Sequence, residues 1–356
     1  MTDTPFTFEN LCRAARECLK GTGWKNGTAR WRMNLLGNCR RLERELADGS
    51  YRQGAPNVFR ITSPKERMVS AMLMRDRVVH KVICHEGGLV EDMFRDAFEC
   101  NCACRTDKGT SYAIALFERQ LHDFHRRHGA EGWVLSLDIR RFFDSIPHDR
   151  LVDWIYRHVR HPQIRKMTAA IVRSYPGDRG IGLGSEVSQV LANSYLTPVD
   201  FTVKQRFGVR HYVRYADNLV CLVPETVQAM DADGNPVEVP GREFARALYA
   251  GIRAAVATLG LELNAKSSIH PLRQGVRFLG FRWRLSRSGK TTRTVLRASV
   301  ARIRRRLRRL LALQRRGLRT REQVLSSFES WAAYAGQATA TRTVRNLRNQ
   351  LMELTK

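Results

Sequence analysis

The sequence has little acid and no long hydrophobic run. Its 356 residues include 34 Asp and Glu against 61 Lys and Arg, which leaves a formal charge of +27. This excess of base is larger than solubility requires and indicates a polyanionic partner. No run of about 18 apolar residues could span a membrane, and no signal peptide opens the chain. We therefore expect a cytoplasmic protein without a membrane partner.

The sequence also lacks the cysteine pattern of a disulfide framework. Five of its eight cysteines are scattered among apolar neighbours, and we expect them to be reduced. The other three form a C-x-C-x-C run, whose alternation suits one face of an extended strand better than the C-x2-C knuckle that zinc prefers. We interpret them as buried thiols beside a functional loop, with a metal site as the less favoured alternative. The scattered cysteines are Cys12, Cys18, Cys39, Cys84 and Cys221, and the run is Cys100, Cys102 and Cys104.

The first third of the chain alternates between helical and strand-like patterns. Residues 8–50 are polar, helical in period and rich in arginine, which is typical either of a solvated helical pair or of a surface that rests on nucleic acid. From Val58 two short strand-like runs flank a Pro-Lys-Glu-Arg turn. A helix is predicted to follow from Met74 to Glu86.

Two later segments each place a carboxylate at the end of a predicted strand or at the tip of a predicted hairpin. The apolar run over residues 132–138 predicts a buried strand that ends at Asp138, and HYVRYADNLV predicts a hairpin with Asp217 and Asn218 at its tip. Between them, the glycine-rich GIGLGSE leads into a helical pattern from Leu191 to Phe201. Two carboxylates from separate strand ends repel each other, so such a pair usually holds divalent metal. Nucleotidyl or phosphoryl transfer uses two magnesium ions, which predicts a polymerase or a nuclease for so basic a chain.

The last part of the chain is mainly helical. We expect a surface hairpin rather than a calcium loop at Asp231–Val239, a helix over Phe244–Leu259, a strand over Val276–Leu285 and helices in the last sixty residues. In that helical region apolar residues recur at intervals of three and four, which indicates a packed face. They are Leu296, Val300, Ile303, Leu307, Leu310 and Leu311.

Arginines fill the opposite face of the same predicted helix. So many like charges repel one another unless an anion lies beside them, which favours phosphate contacts over a merely solvated face. The candidates for nucleic-acid binding are Arg302, Arg305, Arg306 and Arg309.

Several segments resemble the motifs of reverse transcriptases in order and spacing. SLDIRRFFDSIPHDRL resembles the first palm motif, and VRYADN resembles the Tyr-x-Asp-Asp motif. SPKERMV and RDRVVH look like fingers motifs, and RTDKGTSYA looks like the loop that follows them. GIGLGSEVSQVLANSYL is similar to the third palm block, LGLELNAKSS to the fourth, and FLGF to the primer grip.

This resemblance implies an α+β right-hand polymerase fold, with fingers, an antiparallel palm sheet and a helical thumb. The basic helical extension would comprise residues 1–57, and the fingers 58–130. The palm would follow over 131–288, with a surface hairpin inserted at about 225–241, and the thumb over 289–356.

The resemblance also implies roles for individual residues. Asp138 and Asp217, with the Ile139 carbonyl, would bind Mg²⁺, with Mn²⁺ as the alternative ion, and dNTPs would be the substrates. Phe143 would exclude a 2′-hydroxyl by its bulk, and Lys266 would act near the leaving pyrophosphate. The other residues implied to bind or shape the nucleotide pocket are Lys65, Arg67, Arg105, Gly184 and Gln189.

Asn218 departs from the family motif, since it stands where the second Asp is usual. It offers a neutral oxygen and removes one negative charge, so we expect weaker metal binding or an altered preference between magnesium and manganese.

Within the reverse transcriptases, the sequence resembles bacterial enzymes in particular. Ser188 and Gln189 form a Ser-Gln pair typical of reverse transcriptases of diversity-generating retroelements, and antiphage-defence reverse transcriptases are a neighbouring group. Expected partners are an RNA template or structured non-coding RNA, a DNA product, and an accessory protein or second reverse transcriptase. Two alternatives stay open: a defence polymerase with untemplated or protein-guided synthesis, and a pseudo-polymerase that serves as an RNA-binding scaffold.

Overall fold

A computed structural model describes residues 4–22, 24–62, 66–230 and 235–354 of the chain, with the last side chain at 353. It mixes helices with antiparallel sheets, as expected of an α+β fold. Within these ranges no helix combines the length and the apolar character that crossing a bilayer requires.

Fifteen α-helices lie in the described part of the chain. They are α1 (Phe8–Leu19), α2 (Asn26–Met33), α3 (Leu35–Ala47), α4 (Met74–Cys84), α5 (Leu89–Phe94), α6 (Thr110–His128), α7 (Phe142–Ser145), α8 (His148–His158), α9 (Pro162–Arg173), α10 (Glu186–Tyr195), α11 (Thr197–Phe201), α12 (Gly241–Thr258), α13 (Arg297–Arg315), α14 (Arg321–Gly336) and α15 (Thr341–Leu354). A π-helical turn, Thr202–Arg206, extends α11, and a 3-10 turn spans Leu272–Gln274.

The strands of the described residues form four separate sheets. They are β1 (Asn57–Ile61), β2 (Arg67–Ala71), β3 (Gly132–Asp138), β4 (His211–Tyr215), β5 (Asn218–Pro224), β6 (Thr226–Met230), β7 (Pro236–Pro240), β8 (Ser268–Pro271), β9 (Val276–Phe278), β10 (Phe281–Leu285) and β11 (Thr291–Val295). The helical prediction for residues 8–50, the paired strands after Val58, the helix from Met74 and the strand ending at Asp138 are all confirmed.

The largest sheet is antiparallel, with the strand order β4-β5-β3-β8. Its central strand β3 is mostly apolar, and Val134 and Leu135 have no exposed surface, because helices cover both faces of the sheet. Asp138 pairs with Asn218 across β3 and β5, so the end of the central strand lies beside the β4–β5 turn.

Two expectations about extended segments were wrong. Val276–Leu285 is not one strand but two, β9 and β10, which reverse direction at Leu279 and Gly280. Both turn residues have positive φ, 48° and 82°, as a tight hairpin turn requires. A Cβ at Gly280 would also overlap the hydroxyl of Tyr334, so glycine is needed there.

The C-x-C-x-C run is likewise not a strand. Only Asn101 bridges to a neighbour, Arg214 of β4, and the backbone then turns into the left-handed region at Cys104. The eight cysteines, all within the described ranges, are free thiols, and all but Cys104 are buried. Burial raises the pKa of Cys102 and of Cys104 to about 11, so both thiols stay protonated at neutral pH.

The surface hairpin pairs β6 with β7 as predicted, although its turn, residues 231–234, lies outside the described ranges. The helical pattern of the last sixty residues is also confirmed. Ile303, Leu307 and Leu311 of α13 pack against Val324 and Phe328 of α14, in a cluster that α15 completes.

Candidate active site

The two predicted metal carboxylates lie at adjacent ends of the central sheet. Asp138 is the last residue of β3, and Asp217 stands in the two-residue turn between β4 and β5. Ala216, the other turn residue, has a φ of 52°, which fits a tight two-residue hairpin. The antiparallel register places this turn next to Asp138, because the neighbouring Asn218 pairs with it directly.

The pKa of Asp217 lies above its ordinary value. Burial raises its pKa, and the negative charge of Asp138 raises it further. A hydrogen bond from Asn218 Nδ2 to Asp217 Oδ1 (3.0 Å) and the positive charge of Arg67 act in the opposite direction but do not cancel the rise. A cation between the two carboxylates would remove this cost.

Asp138 is held by the segment that resembles the fourth palm block. Asn264 Nδ2 donates to Asp138 Oδ2 (2.9 Å), and Asn264 N donates to the backbone carbonyl of Asp138 (2.7 Å). Ser267 Oγ lies within hydrogen-bonding distance of both the amide and the carbonyl of Asp138. The carboxylate is thereby fixed in direction, with its second oxygen left for a ligand.

These groups fit a magnesium site. Ile139 forms a non-hydrogen-bonded pair with Leu263 on the β8 side, so its peptide groups face away from Leu263, toward β5 and the Asp217 turn. No cluster of three or more His, Cys, Asp or Glu suited to a metal occurs among residues 4–22, 24–62, 66–230 and 235–354. Asp138, Asp217 and the Ile139 carbonyl would together offer two carboxylates and a carbonyl, a donor set typical of Mg²⁺ that also binds substrate phosphates.

Asp138 also opens onto a cleft of about 720 Å³ along the sheet. Asn218 and Lys266 line it, so the structure brings these three predicted site residues together. The cleft continues past basic and polar side chains to the β9–β10 hairpin, which carries the primer-grip-like FLGF. These further lining residues are Ser268, His270, Gln274, Arg277 and Arg282.

The glycine-rich loop joins the fingers-like strands to the carboxylates. Leu183 accepts a hydrogen bond from Ser70 N of β2 (2.8 Å), and Gly184 has a φ of +128°. A Cβ at Gly184 would lie 2.8 Å from the carbonyl of Ser70, so only glycine allows this approach. Arg67, at the start of β2, is exposed, and its charge acts on Asp217; Lys65 lies outside the described residues.

Phe143 contacts the beginning of this loop, and Gln189 lies in α10, which follows the loop along the chain. Phe143 is partly buried, and its carbonyl accepts from Ile181 N (2.9 Å) at the beginning of the loop. Gln189 is exposed on the first turns of α10, where its Oε1 lies 3.9 Å from Cys104 Sγ. Their proposed roles, steric exclusion of ribose and shaping of the base pocket, stay predictions.

Arg105 donates hydrogen bonds to backbone carbonyls of its own segment. Its Nη1 donates to the carbonyls of Phe98 (2.7 Å) and Asn101 (3.1 Å), and burial lowers its pKa. These bonds close the irregular segment that contains the cysteine run. A role at the nucleotide stays a prediction for the remaining donors of this guanidinium.

The four arginines predicted to bind nucleic acid line a single groove of about 920 Å³ between α13 and α14. Arg319 joins them, and the groove reaches Gly280 and Tyr334 at the β9–β10 turn. Tyr334 stacks on Phe281 with ring centroids 4.8 Å apart, and its hydroxyl donates to the Gly280 carbonyl (2.8 Å). This contact joins one end of the arginine groove to the β9–β10 hairpin. The four predicted residues are Arg302, Arg305, Arg306 and Arg309.

Two residues that organise the site were not predicted from the sequence. Asn264 lies within the motif-like segment LELNAKSS, but no local signal in that segment points to its contact with Asp138, 126 positions away. Arg214 was visible as the single Arg inside the apolar stretch HYVRY. It is fully buried beneath the Asp217 turn.

Comparison with known proteins agrees with this geometry. The family model described as "Reverse transcriptase (RNA-dependent DNA polymerase)" matches residues 25–283. The "Putative COX1/OXI3 intron 1 protein" of Saccharomyces cerevisiae is 24% identical over 179 residues, which cover 47% of this chain and 20% of that protein. The chain thus spans about a fifth of the length of this relative. Because the family model covers most of the chain and both carboxylates, the chain belongs to the family of reverse transcriptases, the RNA-dependent DNA polymerases.

Proposed function

We propose that this protein is an active RNA-directed DNA polymerase that makes cDNA by two-metal nucleotidyl transfer. The observation that carries the proposal is the pair Asp138 and Asp217, brought together from separate strand ends with the pKa of Asp217 raised. Such a pair is costly without a cation, and a scaffold has no need of it. When bound, two Mg²⁺ ions would activate the attacking oxygen and stabilise the leaving oxygen.

The protein's own residues orient this reaction. Asn264 and Ser267 fix the direction of Asp138, while the β4–β5 turn fixes that of Asp217. Arg67 is exposed at the start of β2 and close enough for its charge to act on Asp217, which suits binding of an incoming triphosphate. Lys266, exposed in the same cleft as Asp138, would neutralise the departing pyrophosphate.

The parts correspond to fingers, palm and thumb in this proposal. β1 and β2 belong to the fingers, the β4-β5-β3-β8 sheet to the palm, and α13–α15 to the thumb. The nucleic acid would lie between the palm cleft and the arginine groove, which are lined by cations on both sides. Phe143, beside the glycine-rich loop, would select deoxyribose.

The family motif departure at Asn218 fits an enzyme that works with fewer carboxylates. Asn218 Nδ2 donates to Asp217 Oδ1, so it steadies the carboxylate that remains. We expect a lower metal affinity than two neighbouring Asp residues would give, with Mn²⁺ supporting activity at least as well as Mg²⁺.

We further propose that the enzyme serves a bacterial retroelement or a phage-defence system, with a structured RNA as partner. The Ser188–Gln189 pair supports this: Ser188 is buried against Tyr175 (Oγ to Oη 3.0 Å), and Gln189 is exposed next to it. An accessory protein or a second reverse transcriptase would be a further partner.

Labelled dNTP incorporation tests the proposal. Purified protein, with its copurifying RNA kept or removed, is assayed in Mg²⁺ and in Mn²⁺ beside Asp138→Ala and Asp217→Ala. We expect RNA-dependent polymer that requires both carboxylates. Polymer that persists without RNA would indicate untemplated or protein-guided synthesis instead. RNA binding without polymer in either metal would contradict the proposal and favour a scaffold.

A further inference from the structure

A fully buried ion pair lies beneath the Asp217 turn. Arg214 and Asp200 are both without exposed surface, and they meet through two parallel bonds, Nε to Oδ1 (2.7 Å) and Nη2 to Oδ2 (2.6 Å). Tyr212 also donates to Asp200 Oδ1 (2.7 Å). Although burial alone would lower the pKa of the Arg214 guanidinium, the charge of Asp200 raises it above its usual value. Arg214 is therefore permanently charged.

The remaining nitrogen of the guanidinium is directed to the catalytic hairpin. Arg214 Nη1 donates to the carbonyl of Ala216 (3.2 Å), the residue immediately before Asp217, and to Asn193 Oδ1 (2.7 Å). Ala216 is the residue with φ of 52°, so this bond holds a backbone conformation that L-residues seldom adopt. One side chain thus connects α11, α10 and the turn.

The backbone of Arg214 connects the turn to the irregular cysteine segment. Arg214 N donates to the Cys100 carbonyl (2.9 Å), and its carbonyl accepts from Cys102 N (3.0 Å). Asn193 Nδ2 donates to Asn101 Oδ1 (3.1 Å). Arg105, whose Nη1 donates to the carbonyl of Asn101, closes the same segment.

We propose that Arg214 is a positioning residue for catalysis, which sets the direction of the Asp217 carboxylate by holding the Ala216 carbonyl. The supporting geometry is that of the planar guanidinium group of Arg214. Two of its nitrogens donate to the Asp200 carboxylate, and the third donates to the Ala216 carbonyl in the turn. The inference rests on the proposed function, because it concerns metal binding by Asp217.

A role in folding stability alone does not explain why a buried ion pair occupies this position. Replacing a buried pair by apolar side chains of similar volume is often neutral or stabilising, because desolvation offsets most of the attraction. The third contact, to the turn, is what an apolar replacement could not supply. The two explanations therefore differ in what Lys does at position 214: it keeps the charge opposite Asp200 but has no planar fork to span both acceptors.

The test compares Arg214→Lys and Arg214→Met with Tyr212→Phe as the matched control. Tyr212→Phe removes a buried bond to the same Asp200 from the same strand but leaves the turn untouched. Three quantities are measured: Mn²⁺ binding by electron paramagnetic resonance, the kcat and dNTP KM per active site from burst amplitudes, and the melting temperature. The wild type and Asp217→Ala set the two limits of Mn²⁺ binding.

We expect both Arg214 variants to weaken Mn²⁺ binding and lower kcat by about 10- to 100-fold, with little change in dNTP KM. Tyr212→Phe should lower the melting temperature and leave Mn²⁺ binding unchanged. Wild-type Mn²⁺ binding and kcat in Arg214→Lys would overturn the inference and leave a purely structural ion pair. Should Arg214→Met not fold, Arg214→Lys, which keeps a positive charge opposite Asp200, decides between the two explanations.

The proposed function fails in a different way. If the wild type forms no polymer and binds Mn²⁺ no better than Asp217→Ala, the metal site itself is refuted. If the wild type is active and the Arg214 variants match it, only the positioning role is refuted.

Discussion

At the scale of single residues, the main feature of the site is the electrostatic repulsion between the carboxylates of Asp138 and Asp217. Asp217 already has a raised pKa, because partial burial and the negative charge of Asp138 both disfavour its ionised form. Asn218 adds a hydrogen-bond donor to this pair where an acid would add another negative charge. A metal ion and a proton therefore compete for the carboxylate of Asp217.

Asn218→Asp should move the acidic limb of the pH–activity profile to higher pH. A second carboxylate next to Asp217 disfavours ionisation and so raises the pKa of Asp217 further, which means that the metal-binding form disappears earlier as pH falls. At alkaline pH the same variant should need less Mg²⁺ for half-maximal rate. Asn218→Ala, which loses the donor without adding charge, is the control; an unshifted acidic limb in Asn218→Asp would contradict the prediction.

Asp217→Asn should stabilise the metal-free protein at neutral pH while abolishing polymer synthesis. The pKa of Asp217 is higher in the folded state than in the unfolded state. Between these two pKa values the folded state binds more protons, so its stability falls as pH rises. The neutral amide removes this cost, so we expect a rise in melting temperature of about 1 to 3 °C at pH 7. The difference should shrink toward about pH 3, where wild-type Asp217 is protonated, and an equal difference at both pH values would contradict the explanation.

Asn264→Ala should lower kcat by about 10- to 100-fold, because it frees the Asp138 carboxylate to rotate. Glu262→Ala is the matched control in the same segment: Glu262 is exposed and its side chain pairs with Arg140, not with the carboxylates. Steady-state incorporation in Mg²⁺ measures both. Equal rates for the two variants would show that the hydrogen bond to Asp138 has no catalytic effect.

At the scale of elements, α13 carries arginines on two sides that face different surroundings. One set lines the groove with α14 and the β9–β10 turn, whereas Arg304 and Arg308 line a separate recess against α15. All are exposed, so charge alone does not distinguish them. The groove is the side on which Tyr334 contacts Gly280 and Phe281 of the β9–β10 hairpin.

Arg302→Ala combined with Arg306→Ala should weaken binding to an RNA–DNA duplex and reduce the slope of log affinity against log salt by about 1 for each phosphate that is no longer neutralised. The double variant Arg304→Ala with Arg308→Ala removes the same charge from the other side and should change the slope much less. Fluorescence anisotropy over a salt series measures both. Equal slopes for the two pairs would place the duplex elsewhere.

The elements themselves were largely predictable, since their signals are local. The apolar run ending at Asp138, the hairpin around Asp217 and the spacing of Ile303, Leu307 and Leu311 each depend on a few neighbouring residues. The β9–β10 turn was missed because Leu279 gives no turn signal in a left-handed position. The bond from Asn264 to Asp138 spans 126 positions, and no local pattern encodes such a contact.

At the scale of the whole molecule, the net charge of +27 acts on stability as well as on binding. So large an excess of one sign repels itself in the compact state. We expect the melting temperature of nucleic-acid-free protein to rise as NaCl increases from about 0.05 to 0.5 M, since screening weakens that repulsion. Added RNA at low salt should raise it more, and a melting temperature that falls with salt would contradict this account.

The strand order of the β4-β5-β3-β8 sheet has a consequence for synthesis on the ribosome. β3 is the central strand, yet β5, its partner on one side, emerges about 80 residues later, and β8, its partner on the other, later still. At about 5 to 20 residues per second, β3 waits at least several seconds without a partner on either edge. The apolar strand that ends at Asp138 is thus exposed to aggregation or chaperone capture while the chain is still growing.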